Sequence, residues 1–162
     1  MTKPIRTVRL EPMTEDEFSP WAEPQIARYA QAKAGAGAWS AEEALANSRE
    51  NFDQLLPKGL ATPGNHVWVA RDEETGERVG TLWIQVRSSG GRSEAFVCFV
   101  EVDEAQRGKG YGRAIMDAGS AAARRLGAAS MALNVFEDNT TAQSLYSSLG
   151  YRTANRTMRL EL

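Results

Sequence analysis

The chain is poor in the residues that build metal or disulfide sites: 162 residues include one cysteine, Cys98, and one histidine, His66. A lone cysteine cannot close an intramolecular disulfide, and the pair argues against a dedicated zinc site. An excess of one charge is also missing. Nineteen Lys and Arg against 21 Asp and Glu leave a formal charge of -2, whereas a nucleic-acid binder usually carries a basic surplus. No apolar run approaches the roughly 20 residues needed to span a bilayer. Lys3 and Arg6 are not followed by the apolar stretch of a secretory signal. The expectation is a cytoplasmic protein with no metal, nucleic-acid or membrane partner. A hydrophobic content of 42% with 25% charged residues suits one domain, residues 1–162, with a buried core.

The pattern along the chain is mixed. Val8-Arg9-Leu10 reads as a short extended stretch ended by Pro12. Thr14 with Glu17 matches a capping box. Pro20 and Pro24 interrupt the segment after that box, so the first helix is expected from about Pro24 to Lys33, ended by Gly35 and Gly37. Ser40 with Glu43 opens a second helix through Leu45, Phe52, Leu55 and Leu56. The period then changes. Strands are expected at His66–Ala70, Val79–Val86 and Ala95–Val102, the last apolar enough to be covered on both faces. Tyr111, Ile115, Ala118, Ala122 and Leu126 recur at helical spacing, and Gly127 ends that helix. Ser130–Phe136 reads as a strand. Asn139 caps a last helix carrying Ala142, Leu145, Tyr146 and Leu149, and Thr153–Leu162 reads as one or two terminal strands. The order βααβββαβαβ predicts an α/β fold with a mixed sheet.

The densest signal is Gln106-Arg107-Gly108-Lys109-Gly110-Tyr111-Gly112-Arg113, between a buried strand and a helix start. Glycines there let the backbone turn tightly and present N–H groups to an oxygen-rich ligand. The helix N-terminus adds positive partial charge, and Arg107, Lys109 and Arg113 add three full charges. A tight turn with solvated basic residues is the bland alternative. A P-loop is excluded because no Gly-Lys-Ser/Thr follows at the required spacing. A dinucleotide fingerprint fails because Arg113 stands where its third glycine belongs.

Val102–Gly112 resembles motif A of the GNAT superfamily of acyl-CoA N-acyltransferases. Leu133-Asn-Val-Phe-Glu-Asp-Asn139, Ala142, Leu145-Tyr146 and Leu149-Gly150-Tyr151 resemble its motif B. With their surroundings the motifs occupy about residues 95–127 and 130–151. Glu104 departs from the pattern, since many members have proline there. The resemblance implies an α+β sandwich: a mixed, mostly antiparallel sheet with a splayed central strand pair and helices on both faces. It also implies acetyl-CoA as cosubstrate, without a metal, and an amine acceptor that is either a small molecule or a peptide. Transfer would proceed by direct attack. The diphosphate would lie on Arg107, Gly108, Lys109, Gly110, Tyr111, Gly112 and Arg113. The pantetheine would meet the backbone of Val100 and Val102 and lie near Asn139. A homodimer through the C-terminal strands is one arrangement the sequence allows.

Tyr146 matches the tyrosine that many members place beside the sulfur. A phenol with an ordinary pKa of about 10 is protonated at neutral pH and can relieve charge on a departing thiolate. Its other reading is a core aromatic at helical spacing. Glu101, in an apolar strand where desolvation would favour a base, is the candidate for deprotonating the amine. Strand alternation, however, turns it away from a face shared by Phe96, Cys98, Val100 and Val102, unless a bulge reverses that. Asn134 stands where relatives often have a carboxylate and cannot be a base. Water-mediated deprotonation is the other option. Cys98 reads as inert core, His66 as solvated, and Trp39, Trp68 and Trp83 as core, with an acceptor-facing place open to Trp83. A CoA-binding regulatory protein with little catalysis is the competing function.

Overall fold

The computed structural model describes residues 4–162. Strand β1 is Val8–Pro12, and helices α1 and α2 are Glu15–Gly35 and Ala44–Leu55. Strands β2, β3 and β4 are Asn65–Asp72, Arg78–Ser89 and Arg92–Val102. Helix α3 (Tyr111–Arg125), strand β5 (Ser130–Leu133) and helix α4 (Thr140–Ser148) complete the set. The sheet order follows the chain, β1-β2-β3-β4-β5. Its first three pairings are antiparallel and the last is parallel.

The sheet separates two cores. On one face Leu82, Ile84, Ala95 and Val97 pack with Ile115 and Met116 of α3, and Tyr146 and Leu149 close the edge. On the other face Trp21, Trp83 and Val69 pack with Phe52 and Phe99, so α1 and α2 cover that side. The α+β sandwich is as the sequence resemblance implies.

Helix α1 overrides its prolines. Glu17 Oε1 accepts from the Thr14 N–H at 3.0 Å, so the helix begins at the expected box. It then runs unbroken through Pro20 and Pro24 instead of starting near Pro24. Each proline deprives the carbonyl four residues earlier, of Asp16 and Pro20, of its helical bond. Burial of Trp21, Ala22, Ile26 and Ala30 holds the helix nonetheless. Ser48 of α2 ties the two helices by donating to the Ile26 carbonyl at 2.7 Å.

Two expectations at the C-terminal end fail. β5 stops at Leu133, and residues 134–136 are irregular and exposed, with Phe136 84% accessible. Residues 152–162 form no strand. Met158 and Leu160 alternate as a strand would, yet they are exposed. The alternation is real, but among the described residues the segment joins no strand ladder, and a strand requires those backbone hydrogen bonds.

Candidate active site

Strand β4 organises the site through one irregularity. Its register against β3 passes from Trp83↔Phe99 to Ile84↔Val97, so Cys98 is an extra residue, a β-bulge. Alternation changes phase there. Ala95 and Val97 before the bulge, and Val100 and Val102 after it, all face the α3 core. Cys98 and Phe99 face the aromatic core under α1. The face expected to hold Phe96, Cys98, Val100 and Val102 therefore keeps only the two valines. Phe96 lies instead under the Arg87 guanidinium, 4.2 Å from ring centroid to carbon. Glu101 stays on the opposite side from Val100 despite the bulge, among the residues that face α1.

The bulge also marks where β4 and β5 separate. Their parallel pairing runs from Glu94↔Ser130 to Val97↔Leu133 and no further. Past that point β4 is bonded only to β3. The Asp103 N–H donates to the Val79 carbonyl at 2.9 Å, which fixes the phase of the ladder. Asp103, Glu101 and Phe99 thus turn their backbone groups to β3, and Val100 and Val102 turn theirs to the open side. The Val102 carbonyl accepts from Arg107 Nε at 3.2 Å. Val100 and Val102 are core valines by side chain, with their backbone groups at an open strand edge.

The glycine loop comes directly after this edge. A turn at Glu104–Gln106 leads to Gly108 and Gly110 with φ of 77° and 92°, left-handed backbone that suits glycine. Gly110 is the N-cap of α3 and supplies no side-chain cap, and no described residue accepts from the first amides of α3, as an anion site needs. The three cations are anchored around this point. Arg107 reaches the Val102 carbonyl and comes within 3.9 Å of Glu101. Lys109 donates to Gln106 Oε1 at 3.1 Å, and Arg113 donates to Ser148 Oγ.

Tyr111 is the exception in this loop. Its side chain is buried and its hydroxyl donates to Asp72 Oδ2 at 2.5 Å. The same carboxylate accepts from the N–H groups of Glu74 and Thr75 through its other oxygen. The phenol's hydrogen bond holds Asp72 below the usual carboxylate range, and the reciprocal effect raises Tyr111. The Arg6 guanidinium lies over the ring at 5.5 Å. Only the Tyr111 backbone is placed to meet a ligand at the loop. Sequence reasoning groups it with its neighbours and misses Asp72, which lies 39 residues away.

Helix α4 closes the gap from the other side. Asn139 caps it, accepting from the Ala142 N–H at 3.2 Å. A Cβ built on Gly112 would lie 3.3 Å from Leu145 Cδ2 and 3.9 Å from Val102 Cγ2. The first turn of α3, the end of β4 and α4 therefore meet at Gly112. Tyr146, next to Leu145, is half-buried with its ring 5.7 Å from that of Tyr151. Burial raises the pKa of its phenol.

A cleft of about 160 Å³ opens on the far side of β4, between it and α1. Glu101 lines it with Asp103 of the following loop, facing Trp21 and Arg28 of α1. Glu101 lies 3.4 Å from Arg28, and Asp103 lies 3.2 Å from Arg78. The apolar desolvation expected for Glu101 is not what it meets, since its side chain is 26% exposed and faces guanidinium groups. Positions 20, 21, 24, 25 and 28 of α1 all line this cleft, a helical face that the expected break at Pro24 concealed. A larger hollow of about 390 Å³ lies between α3 and the chain after α4, and no residue of the glycine loop lines it.

The remaining candidates fall away. Desolvation pushes the Cys98 thiol up to about 11, so it is no nucleophile at neutral pH. His66 stacks on Trp68, and burial lowers its pKa. Trp83 is core, its indole N–H donating to Asn65 Oδ1 at 2.9 Å. Asn134 is exposed beyond the end of β5. Trp39 packs edge-on against Tyr29.

An uncapped helix start beside an open strand edge is the geometry of an acyl-CoA-dependent acyltransferase. The acetyltransferase (GNAT) family model matches residues 14–151, and the chain belongs to that family. It is 36% identical over 156 residues to YycN of Bacillus subtilis (strain 168), an uncharacterized N-acetyltransferase, covering 96% of this chain and 99% of that protein. YdgE of the same organism, also an uncharacterized N-acetyltransferase, is 33% identical over 94% of this chain and 97% of its own. The crystal structure of YycN superposes with a TM-score of 0.85. A mycothiol acetyltransferase of Propionibacterium freudenreichii is 36% identical over 115 residues, 71% of this chain but 34% of that protein.

Proposed function

We propose that this chain is an N-acetyltransferase that moves the acetyl group of acetyl-CoA to a primary amine by direct attack. The observation that carries this reading is the parting of β4 from β5 beyond Val97, next to the uncapped start of α3. The diphosphate is held by the amides of Gly108 to Arg113, with Arg107, Lys109 and Arg113 neutralising its charge. The free edge at Val100 and Val102 takes the amides of the pantetheine as an added strand, and Asn139 lies at the mouth of the same gap. When bound, acetyl-CoA supplies a thioester whose carbonyl carbon forms the new C–N bond as the C–S bond breaks. Glu101 takes the proton the amine must lose, directly or through water. Tyr146 gives a proton to the departing sulfur and is restored by the second proton that the nitrogen sheds as the amide forms. The products are the acetamide and free CoA thiol. The mycothiol acetyltransferase relatives, by name, carry out acetyl transfer, which is consistent with this class of reaction.

Calorimetry with acetyl-CoA tests the reading. Binding is expected for the native chain and is expected to weaken by at least about tenfold in Gly110→Val, because a β-branched residue cannot hold a φ of 92° without strain. No heat with the native chain would end the proposal.

The Asp72–Tyr111 tether gives a second measurement. Tyr111→Phe frees the loop from its anchor and removes one hydrogen bond to a carboxylate, so KM for acetyl-CoA should rise by about tenfold while kcat changes little. A fall in kcat at constant KM would show that the tether serves something other than the cofactor.

A further inference from the structure

The charges lining the cleft under α1 alternate in sign, and they pair off. Arg28 faces Glu101 and Arg78 faces Asp103. A purely cationic acceptor drawn to Glu101 would displace Arg28 and leave that guanidinium without its partner. An uncharged acceptor would make no use of either pair. A ligand with an ammonium and a carboxylate avoids both costs. Its ammonium replaces Arg28 beside Glu101, and its carboxylate takes Arg28 in exchange, while Arg107 keeps its place 3.9 Å from Glu101. Arg28 is suited to move, since its side chain is 57% exposed and its contact with Glu101 is long at 3.4 Å. A guanidinium also binds a carboxylate through two parallel hydrogen bonds.

Trp21 is a wall of this cleft and is 6% exposed. The walls beside it, Pro20, Pro24 and Phe99, are apolar, and the cleft volume of about 160 Å³ suits an amino-acid-sized group.

We propose that the acceptor is a zwitterion of the α-amino-acid type, its amine beside Glu101 and its carboxylate held by Arg28. This rests on the acetyltransferase reading above. As the ammonium loses a proton to Glu101 or water, the neutral nitrogen forms the amide and the thiol leaves protonated, so the balance is unchanged.

The test compares amino acids with the amines lacking only the carboxylate, such as tyrosine with tyramine and leucine with isopentylamine. Released thiol and calorimetric binding to the CoA complex are both read. Amino acids are expected to bind and to be acetylated with a KM at least about tenfold below that of the matching amine. Arg28→Gln should erase that difference by raising KM for the amino acid alone, Arg28→Lys should restore part of it, and CoA affinity should not move. Equal use of the carboxylate-free amines, an unchanged preference in Arg28→Gln, or no zwitterion that binds overturns the inference. Retained CoA binding in those outcomes leaves the acetyltransferase reading standing, whereas loss of CoA binding by the native chain removes both.

Discussion

Tyr146→Phe is expected to lower kcat by about two orders of magnitude while leaving KM for acetyl-CoA nearly unchanged. The substitution removes only the hydroxyl. The ring keeps its place beside Tyr151 and in the core that α4 shares with α3, so the fold is expected to persist. On the proposed mechanism, what is lost is a proton donor for the sulfur as negative charge develops there, an interaction made in the transition state and not in the ground state. The pH profile carries the same signature. Burial raises the phenol's pKa, and an acid works only while protonated, so its contribution lasts through neutral and mildly alkaline pH. It is lost as pH rises through that raised value, above the ordinary value of about 10. The native enzyme should show this alkaline fall and Tyr146→Phe should lack it. Steady-state kinetics across pH decide the matter, and an unaltered kcat would remove Tyr146 from the chemistry.

Gly80→Ala is expected to cost stability on a scale no surface change would. A Cβ there would stand 2.2 Å from the Glu101 carbonyl oxygen and 2.8 Å from Ile115 Cδ1. The isoleucine end can shift, but the carbonyl belongs to the β3–β4 ladder and cannot yield without parting the strands. Overpacking of this kind costs roughly 3 kcal/mol, which for a domain of this size lowers Tm by about 10 °C. The injury also falls on the strand that carries Val100, Glu101 and Val102, so affinity for acetyl-CoA should drop in the fraction that remains folded. Calorimetric melting together with CoA titration reads both. A Tm within a degree or two of the native value would show that β3 and β4 are not held so closely.

These expectations differ in how far the sequence foretells them. The loop at Gly108–Gly110 is legible because its signal is local: left-handed glycines, a strand before and a helix after. The caps at Thr14 and Asn139 are legible for the same reason, since each depends on residues three positions apart. Helix α1 is misread from sequence because prolines are strong local breakers, whereas burial of Trp21 and Ile26 is a tertiary gain that no window reveals. The cleft is hidden by the same error. The contacts of Arg28 with Glu101 and of Asp72 with Tyr111 span 73 and 39 residues, and nothing in either neighbourhood advertises the other. A bulge in β4 is an option the sequence leaves open, but neither its position at Cys98 nor its effect on Phe96 can be read from alternation alone.

That single additional residue sets which way each half of the strand is read. Were Cys98 held in regular alternation instead of bulged out, every side chain from Phe99 to Val102 would swap sides, sending the carboxylate among the aliphatic groups of α3 and a valine into the aromatic layer. The open edge at Val100 and Val102 and the cleft beside Glu101 are thus set by the same bulge. Loss of Cys98 itself would leave Val97 opposite Ile84 and Phe99 opposite Trp83, so the facing of both survives a regular strand one residue shorter but not a flattened bulge.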